Sequence, residues 1–354
     1  MSRGVVARID TASLLHNFRR VKALTEGGSR ILAMVKANAY GHGVVEIAKA
    51  LPEADALGVV SLDLAILLRQ SGVTRPIVMM QGFLHASELE YFHRYDLTLV
   101  LHSMCQFDCL SKYTCKTPLR YWLKIDSGMN RLGFKANDFD AVYQSIRQLS
   151  CLQPSPVLLT HLSSADEPDQ SYTRFQVSTF DRVTNALSEE KSVCNSAGIF
   201  MCPQAHNDWV RPGVMLYGVS PLVGRSAMEL DLKAVMTLKA RLIAVHRQNK
   251  GDLIGYSGSY CCGREMSVGV VNIGYGDGYP RSISPGTAVL IGGEACLVIG
   301  KVSMDMLTVD LTDLRSMPSV GDDVILWGDG LPVENVAKAA GMIPYELMTQ
   351  ITSR

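Results

Sequence analysis

The sequence predicts an α/β protein, an N-terminal (β/α)8 TIM-type barrel followed by a mostly-β C-terminal domain. Three observations carry that prediction. Short apolar runs alternate with helical patterns as far as about Val219 and then give way to period-two alternation. The length of 354 residues suits two domains, one of them barrel-sized. No GxGxxG follows any run, so the alternative of a doubly wound open sheet lacks a dinucleotide signature. The barrel is assigned to residues 11–222, and the β-rich domain to 1–10 and 223–354, with the N-terminal strand joining it.

In chain order, the barrel runs are Leu32 to Val35, Leu57 to Val60, Ile77 to Met80, Leu97 to Leu101, Tyr121 to Ile125, Val157 to Leu159, Val193 to Cys194 and Trp209 to Val210. This is the rhythm of βα repeats. Val177, Phe180, Val183 and Leu187 recur at helical spacing on a polar segment, which predicts an amphipathic crossover helix. Beyond Val219, Met236, Leu238, Ala240 and Leu242 alternate with Thr237, Lys239 and Arg241, the pattern of a half-buried strand. Further strands are expected at Val268 to Ile273, Val289 to Ile291, Cys296 to Ile299, Leu307 to Val309 and Val324 to Trp327. Gly292-Gly293 reads as a hairpin turn, and Val333 to Ala340 as a short helix.

Composition narrows the function classes. Lys plus Arg (34) equals Asp plus Glu (34), and 19% of residues are charged, so neither nucleic acid nor a membrane surface is an expected partner. Residues 1–8 hold no uninterrupted apolar segment, and Glu294 breaks the apolar stretch Ala288 to Gly300; the expectation is a soluble, cytoplasmic protein. The nine cysteines form no CxxC pair and have no histidine at zinc-ligand spacing. Free thiols in a reducing compartment are expected, and no metal site.

Lys36 is the first candidate for chemistry, because it ends the apolar run Ile31 to Val35, with Val44, Val45, Ala48 and Leu51 following at helical spacing. A partly desolvated lysine amine has a lowered pKa and can serve as a nucleophile or base, Schiff-base formation being the commonest use. A lysine snorkelling from a strand end is the plain alternative. In a barrel, strand-end residues converge on one mouth, and phosphate sites lie after strands seven and eight. That gathers Lys36 with His161, Asn195, Ser196 and Arg211, while Gly213 and Val214 offer backbone close to an anion. A lysine, a phosphate cup and an arginine able to face a ring nitrogen are the parts that pyridoxal 5'-phosphate needs. Taken singly, His161 reads as a structural histidine, Arg211 as an ion-pair partner and Ser196 as a helix N-cap.

The segment Val35-Lys36-Ala37-Asn38-Ala39-Tyr40-Gly41-His42-Gly43 resembles the cofactor-lysine signature of the alanine racemases. The likeness continues through Lys124 to Gly133, Asp208 to Gly218, Ile273 to Tyr279 and Gly300 to Asp305, over nearly the whole chain. The resemblance implies a barrel followed by a β domain, a head-to-tail homodimer, pyridoxal phosphate as cofactor and interconversion of L- and D-alanine for peptidoglycan. It further implies that Lys36 binds the cofactor covalently, that Tyr40, Ser196 and Tyr345 touch its phosphate, and that His161 stacks near its ring while Arg211 faces the ring nitrogen. Racemisation needs acid–base groups on both faces of the substrate Cα. By resemblance these are Lys36 and Tyr256, the latter from the partner subunit. Arg131 and the Met304 backbone belong to the same pocket, with Met304 and Asp305 also from the partner. Lys124 matches a lysine that is carbamylated in many relatives, a plain lysine paired with an acid being the alternative. Tyr275, Tyr345, Asp166, Arg281 and Ile343 match the channel mouth. Two positions depart from the family pattern. Lys301 replaces a common arginine, and Ser192 stands where some relatives carry histidine, which leaves the partner of Arg211 open. A broad-specificity amino-acid racemase, a decarboxylase of the same barrel class and a non-catalytic cofactor carrier are the competing readings.

Overall fold

The computed structural model describes residues 4–26 and 28–352. Among these residues two compact units are present, one built from residues 15–26, 28–39 and 43–232, the other from residues 4–14, 40–42 and 233–352.

The larger unit is a closed parallel barrel. After β1 (Val6–Ile9), its strands are β2 (Arg30–Met34), β3 (Ala56–Val59), β4 (Ile77–Met79), β5 (Leu97–Leu101), β6 (Tyr121–Asp126), β7 (Phe134–Lys135), β8 (Val157–Leu159), β9 (Lys191–Asn195) and β10 (Trp209–Arg211). The order is β5-β4-β3-β2-β10-β9-β8-β6-β7, and a β5–β6 pairing closes the ring, leaving β7 as a short annex to β6. Parallel strands covered on both faces can be apolar at every position, and β3, β4 and β5 are buried throughout. β6 is buried throughout as well, although it carries Lys124 and Asp126. All eight predicted barrel strands are found, with ends shifted by a residue or two.

The crossover helix spans Ser171–Thr184, but its buried face differs from the predicted one. Thr173, Gln176, Phe180 and Thr184 are buried, while Val177 and Val183 are only half-buried. The reason is that Gln176 is turned inward to hydrogen-bond the loop after β8, which rotates the valines off the core.

The segment between Lys36 and the helix beginning at Val44 opens with a left-handed turn. Ala37, Asn38, Ala39 and Tyr40 have φ between 50° and 54°, a conformation costing roughly 1–2 kcal/mol per non-glycine residue. Ala39 N–H donates to Val35 O at 2.9 Å, and Asn38 Oδ1 accepts from Val44 N at 2.8 Å, opening the helix Val44–Ala50.

The smaller unit is antiparallel. Its strands are β11 (Met236–Gln248), β12 (Leu253–Ile254), β13 (Tyr260–Cys261), β14 (Met266–Val271), β15 (Ala288–Ile291), β16 (Glu294–Ile299), β17 (Leu307–Asp310) and β18 (Asp323–Trp327). The main sheet runs β1-β11-β14-β17-β16-β15-β18, and β11 also pairs with β18, so six strands close on themselves with β1 attached. The thirteen residues of β11 serve both sides by shifting register between Leu242 and Ala244. Gly292 and Gly293, both at positive φ, join β15 to β16 as a hairpin. The helix Val333–Ala340 lies where the spacing put it; a further helix, Pro344–Gln350, was not expected.

Candidate active site

The carboxyl ends of the barrel strands gather a cluster of cations. Lys36 follows β2, whose last carbonyl, on Met34, accepts from the buried Tyr217 hydroxyl at 2.8 Å. Burial, and secondarily the charge of Arg131, lowers the Lys36 amine below the ordinary lysine value. Lys124, buried within β6, is brought down to about 8 by burial and then by Arg211 and Arg131, with Asp126 opposing. Both amines are therefore easier to deprotonate than a surface lysine.

Arg211, at the end of β10, is fixed by four contacts. Nη1 donates to Ser192 Oγ at 2.7 Å, and Nη2 to Thr160 O at 2.6 Å and Val193 O at 3.1 Å. Nη2 also meets His161 Nδ1 at 3.3 Å. Ser192 thus supplies the partner that the missing histidine had left open. Complete burial lowers the Arg211 pKa to about 10, which leaves it charged at neutral pH. His161 is held well below its usual pKa by burial, then by Arg211, Lys124, Arg131 and Lys36. It is accordingly neutral, and the Arg211 contact assigns Nδ1 as the acceptor and Nε2 as the protonated nitrogen.

After β9, Asn195 rather than Ser196 caps the helix Ser196–Met201, its Oδ1 accepting from Gly198 N at 3.0 Å. Its Nδ2 donates to Leu162 O at 3.0 Å, so both ends of this amide are engaged in positioning loops. Ser196 Oγ accepts from Gly213 N at 2.8 Å and keeps its own proton to donate. Val214 begins the single turn Val214–Tyr217 immediately after Gly213.

Three supporting residues escaped the sequence reading. Asp126 Oδ1 accepts from Gly128 N at 3.1 Å and Asn130 N at 3.0 Å, and Oδ2 pairs with Lys135 Nζ at 2.7 Å. It organises the loop that carries Arg131. Burial would push this carboxyl up, but Lys135 and the two backbone donors outweigh it and hold the pKa low. Gln176 Oε1 accepts from Ser163 N at 2.9 Å and Nε2 donates to His161 O at 3.2 Å. One turn earlier, Tyr172 Oη donates to Gly128 O at 2.8 Å. Only Asp126 had a local signal, an acid ending a strand inside a resembling segment. Gln176 and Tyr172 sit far along the chain from what they hold.

In the smaller unit, Tyr40 packs against Tyr345 with ring centroids 6.0 Å apart, and burial together with Tyr345 raises its pKa. Tyr275 begins a turn whose Tyr275 N and Gly276 N donate to Ser303 O at 3.1 Å and Met304 O at 2.9 Å. That turn sets the Met304–Asp305 segment, in which Met304 is exposed. Tyr256 lies on the β12–β13 connection and is 68% exposed, flanked by Gly255 and Ser257 at positive φ. A phenol held outward on a strained turn contributes nothing to the core of its own unit.

The donor set of the barrel mouth fits pyridoxal phosphate. It offers two depressed amines, a guanidinium that retains its charge, a neutral imidazole and a serine hydroxyl beside backbone N–H groups. Its acid, Asp126, is already engaged by Lys135, so the cluster has excess positive charge for an anionic ligand.

Residues 9–221 match the alanine racemase N-terminal domain and residues 235–354 the alanine racemase C-terminal domain. The chain is 45% identical to the alanine racemase of Coxiella burnetii over 98% of its length and 96% of that protein's. It is also 45% identical to that of Thioalkalivibrio sulfidiphilus, over 100% of this chain and 98% of the relative. The crystal structure of biosynthetic alanine racemase from Pseudomonas aeruginosa superposes with a TM-score of 0.95 at 39% identity, covering 100% of this chain and 98% of that one. Alanine racemase from Bartonella henselae with covalently bound pyridoxal phosphate gives 0.87 at 28% identity, covering 99% and 98%. With both domain models matched in order and likeness at this level end to end, the chain belongs to the alanine racemase family.

Proposed function

We propose that this protein is a pyridoxal phosphate-dependent alanine racemase using two bases, working as a cytoplasmic homodimer and supplying D-alanine for peptidoglycan. The observation that carries the reading is Lys36, an amine depressed by burial and by Arg131 at a cation-lined barrel mouth. Family membership supports it. When bound, pyridoxal phosphate supplies the electron-accepting ring that acidifies the α-hydrogen of an amino acid. In this reading Lys36 holds the cofactor. Ser196, Gly213, Val214, Tyr40 and Tyr345 receive its phosphate, with Asn195 positioning Ser196. His161 would lie by the ring and Arg211 would face its nitrogen. Arg211 is tied by Ser192 and two carbonyls, and a guanidinium gives up its proton too reluctantly to protonate that nitrogen. A weaker electron sink favours returning the proton to Cα over transamination.

Lys36 Nζ removes or returns the Cα hydrogen on one face, and Tyr256 Oη of the partner subunit does so on the other. The outward presentation of Tyr256 supports a role outside its own unit. Arg131 and the Met304 backbone orient the substrate, with Asp305 and Tyr275 supporting that region. The Lys124 amine, brought down to about 8, is the form that adds carbon dioxide. Its nitrogen attacks the carbon, loses a proton and becomes a carbamate able to hold Arg131. The barrel is taken as residues 11–222.

The test is racemisation of L-alanine followed by chiral separation, beside the visible spectrum. Lys36→Ala is expected to abolish both activity and the absorbance of bound cofactor, and Tyr256→Phe to impair turnover strongly while leaving the absorbance. Undiminished racemisation by Lys36→Ala without added amine would falsify the reading. Comparable rates on arginine or lysine would favour the broad-specificity alternative.

A further inference from the structure

The starts of the barrel strands, at the end remote from Lys36, line an open cavity of about 430 Å³. Its origin is steric. Short side chains line it on β3 to β5, Ala56, Val78 and Thr98, and they leave room that the indoles of Trp122 on β6 and Trp209 on β10 do not fill. The two indoles meet at 5.4 Å between centroids although their strands are not neighbours, so their contact crosses the barrel and forms an apolar floor.

The charges at this cavity are not equivalent. Arg30 is committed, stacked with its guanidinium carbon 4.3 Å from the Trp209 ring centre and ion-paired with Glu190. Trp209 Nε1 donates to the same Glu190 at 2.9 Å. Arg120 lines the cavity too; its Nη2 is ion-paired with Asp96 Oδ1 at 2.7 Å and reaches Asp96 O at 3.3 Å, and its Nε donates to Thr98 Oγ1 at 3.4 Å, while Nη1 makes no hydrogen bond among the described residues. Asp55 accepts Ile31 N on Oδ2 at 2.8 Å and keeps Oδ1. Asp55 precedes β3 and Arg120 precedes β6, so an acid and a base both line the cavity beside its apolar floor. A simple anion would meet Asp55 and a simple cation would meet Arg120; a ligand carrying both charges satisfies both.

We propose that this cavity binds a small zwitterion with an apolar body, the chemistry of a free hydrophobic α-amino acid. The ammonium lies at Asp55, the carboxylate at Arg120 and the side chain on Trp122. This site is separate from the Lys36 cluster and does not depend on the racemase reading.

Tryptophan emission reports on it directly, because two of the chain's three tryptophans, Trp122 and Trp209, line the cavity. In the purified full-length protein, L-phenylalanine should give a saturable emission change, weakened tenfold or more by Asp55→Asn and by Arg120→Gln. N-acetyl-L-phenylalanine, which lacks the ammonium, should bind as weakly to the unaltered protein. Asp55→Asn keeps an acceptor for Ile31 N, and Arg120→Lys keeps the charge and should retain binding, so a loss that tracks charge is distinguished from misfolding. No saturable change, or equal titrations in Asp55→Asn and the unaltered protein, would overturn the proposal.

Discussion

At the residue scale, Lys124 must carry its charge inside a fully buried strand, beside other cations. Its pKa in the folded protein is about 8, below the ordinary 10.5. The unfolded chain therefore binds more protons between those values, and stability rises with pH across that window; below it the penalty is present in full. Lys124→Met in cofactor-free protein kept free of carbon dioxide should raise stability at neutral pH, by on the order of 1–2 kcal/mol. It should also flatten the rise of the melting temperature above pH 8. Gln176 is the opposite case, a buried amide with both ends bonded. Gln176→Leu would orphan the Ser163 N–H and the His161 carbonyl at about 1–3 kcal/mol each. Cofactor retention, read from visible absorbance on dilution, should fall, whereas Gln176→Glu, which keeps the acceptor for Ser163, should lose less.

At the element scale, the left-handed turn after β2 is held by Ala39 N–H on Val35 O and by Val44 N–H on Asn38 Oδ1. A Cβ on Gly41 would come within 2.1 Å of the Met348 carbonyl oxygen, and its φ is +82°. Gly41→Ala should cost about 2–4 kcal/mol in chemical denaturation, since neither the backbone contact nor the φ can relax. Asn38→Ala should cost about 1–2 kcal/mol, losing both the Val44 N–H acceptor and a residue that tolerates this conformation. The signature around Lys36 was legible in the sequence because it is contiguous, but its handedness was not. Alanine at positive φ runs against local preference, and here the contacts around the turn decide. The valine stripe on Ser171–Thr184 misled for the same reason, since a distant hydrogen-bonding demand turned Gln176 inward.

At the scale of the whole molecule, the proposed sharing of sites predicts complementation. Lys36→Ala and Tyr256→Phe spoil different halves of each site, so a mixed dimer retains one intact site. Random reassociation of equal amounts should restore roughly a quarter of full activity in a twofold-symmetric dimer. No recovery, with subunit exchange verified by mass, would mean that both groups come from one chain.

Periodicity alone determined the barrel strands, the β-rich second domain and the strand-end positions of Lys36, His161, Ser196 and Arg211, because burial on two faces or one writes itself into local pattern. Tertiary structure alone decided which groups meet. Ser192 became the partner of Arg211, Asn195 took the cap from Ser196, and burial, with the surrounding cations second, keeps His161 neutral. It also left a cavity at the far end of the barrel, where small side chains on three strands oppose two indoles. Such pairings depend on distances between residues far apart in sequence, and no local pattern encodes them.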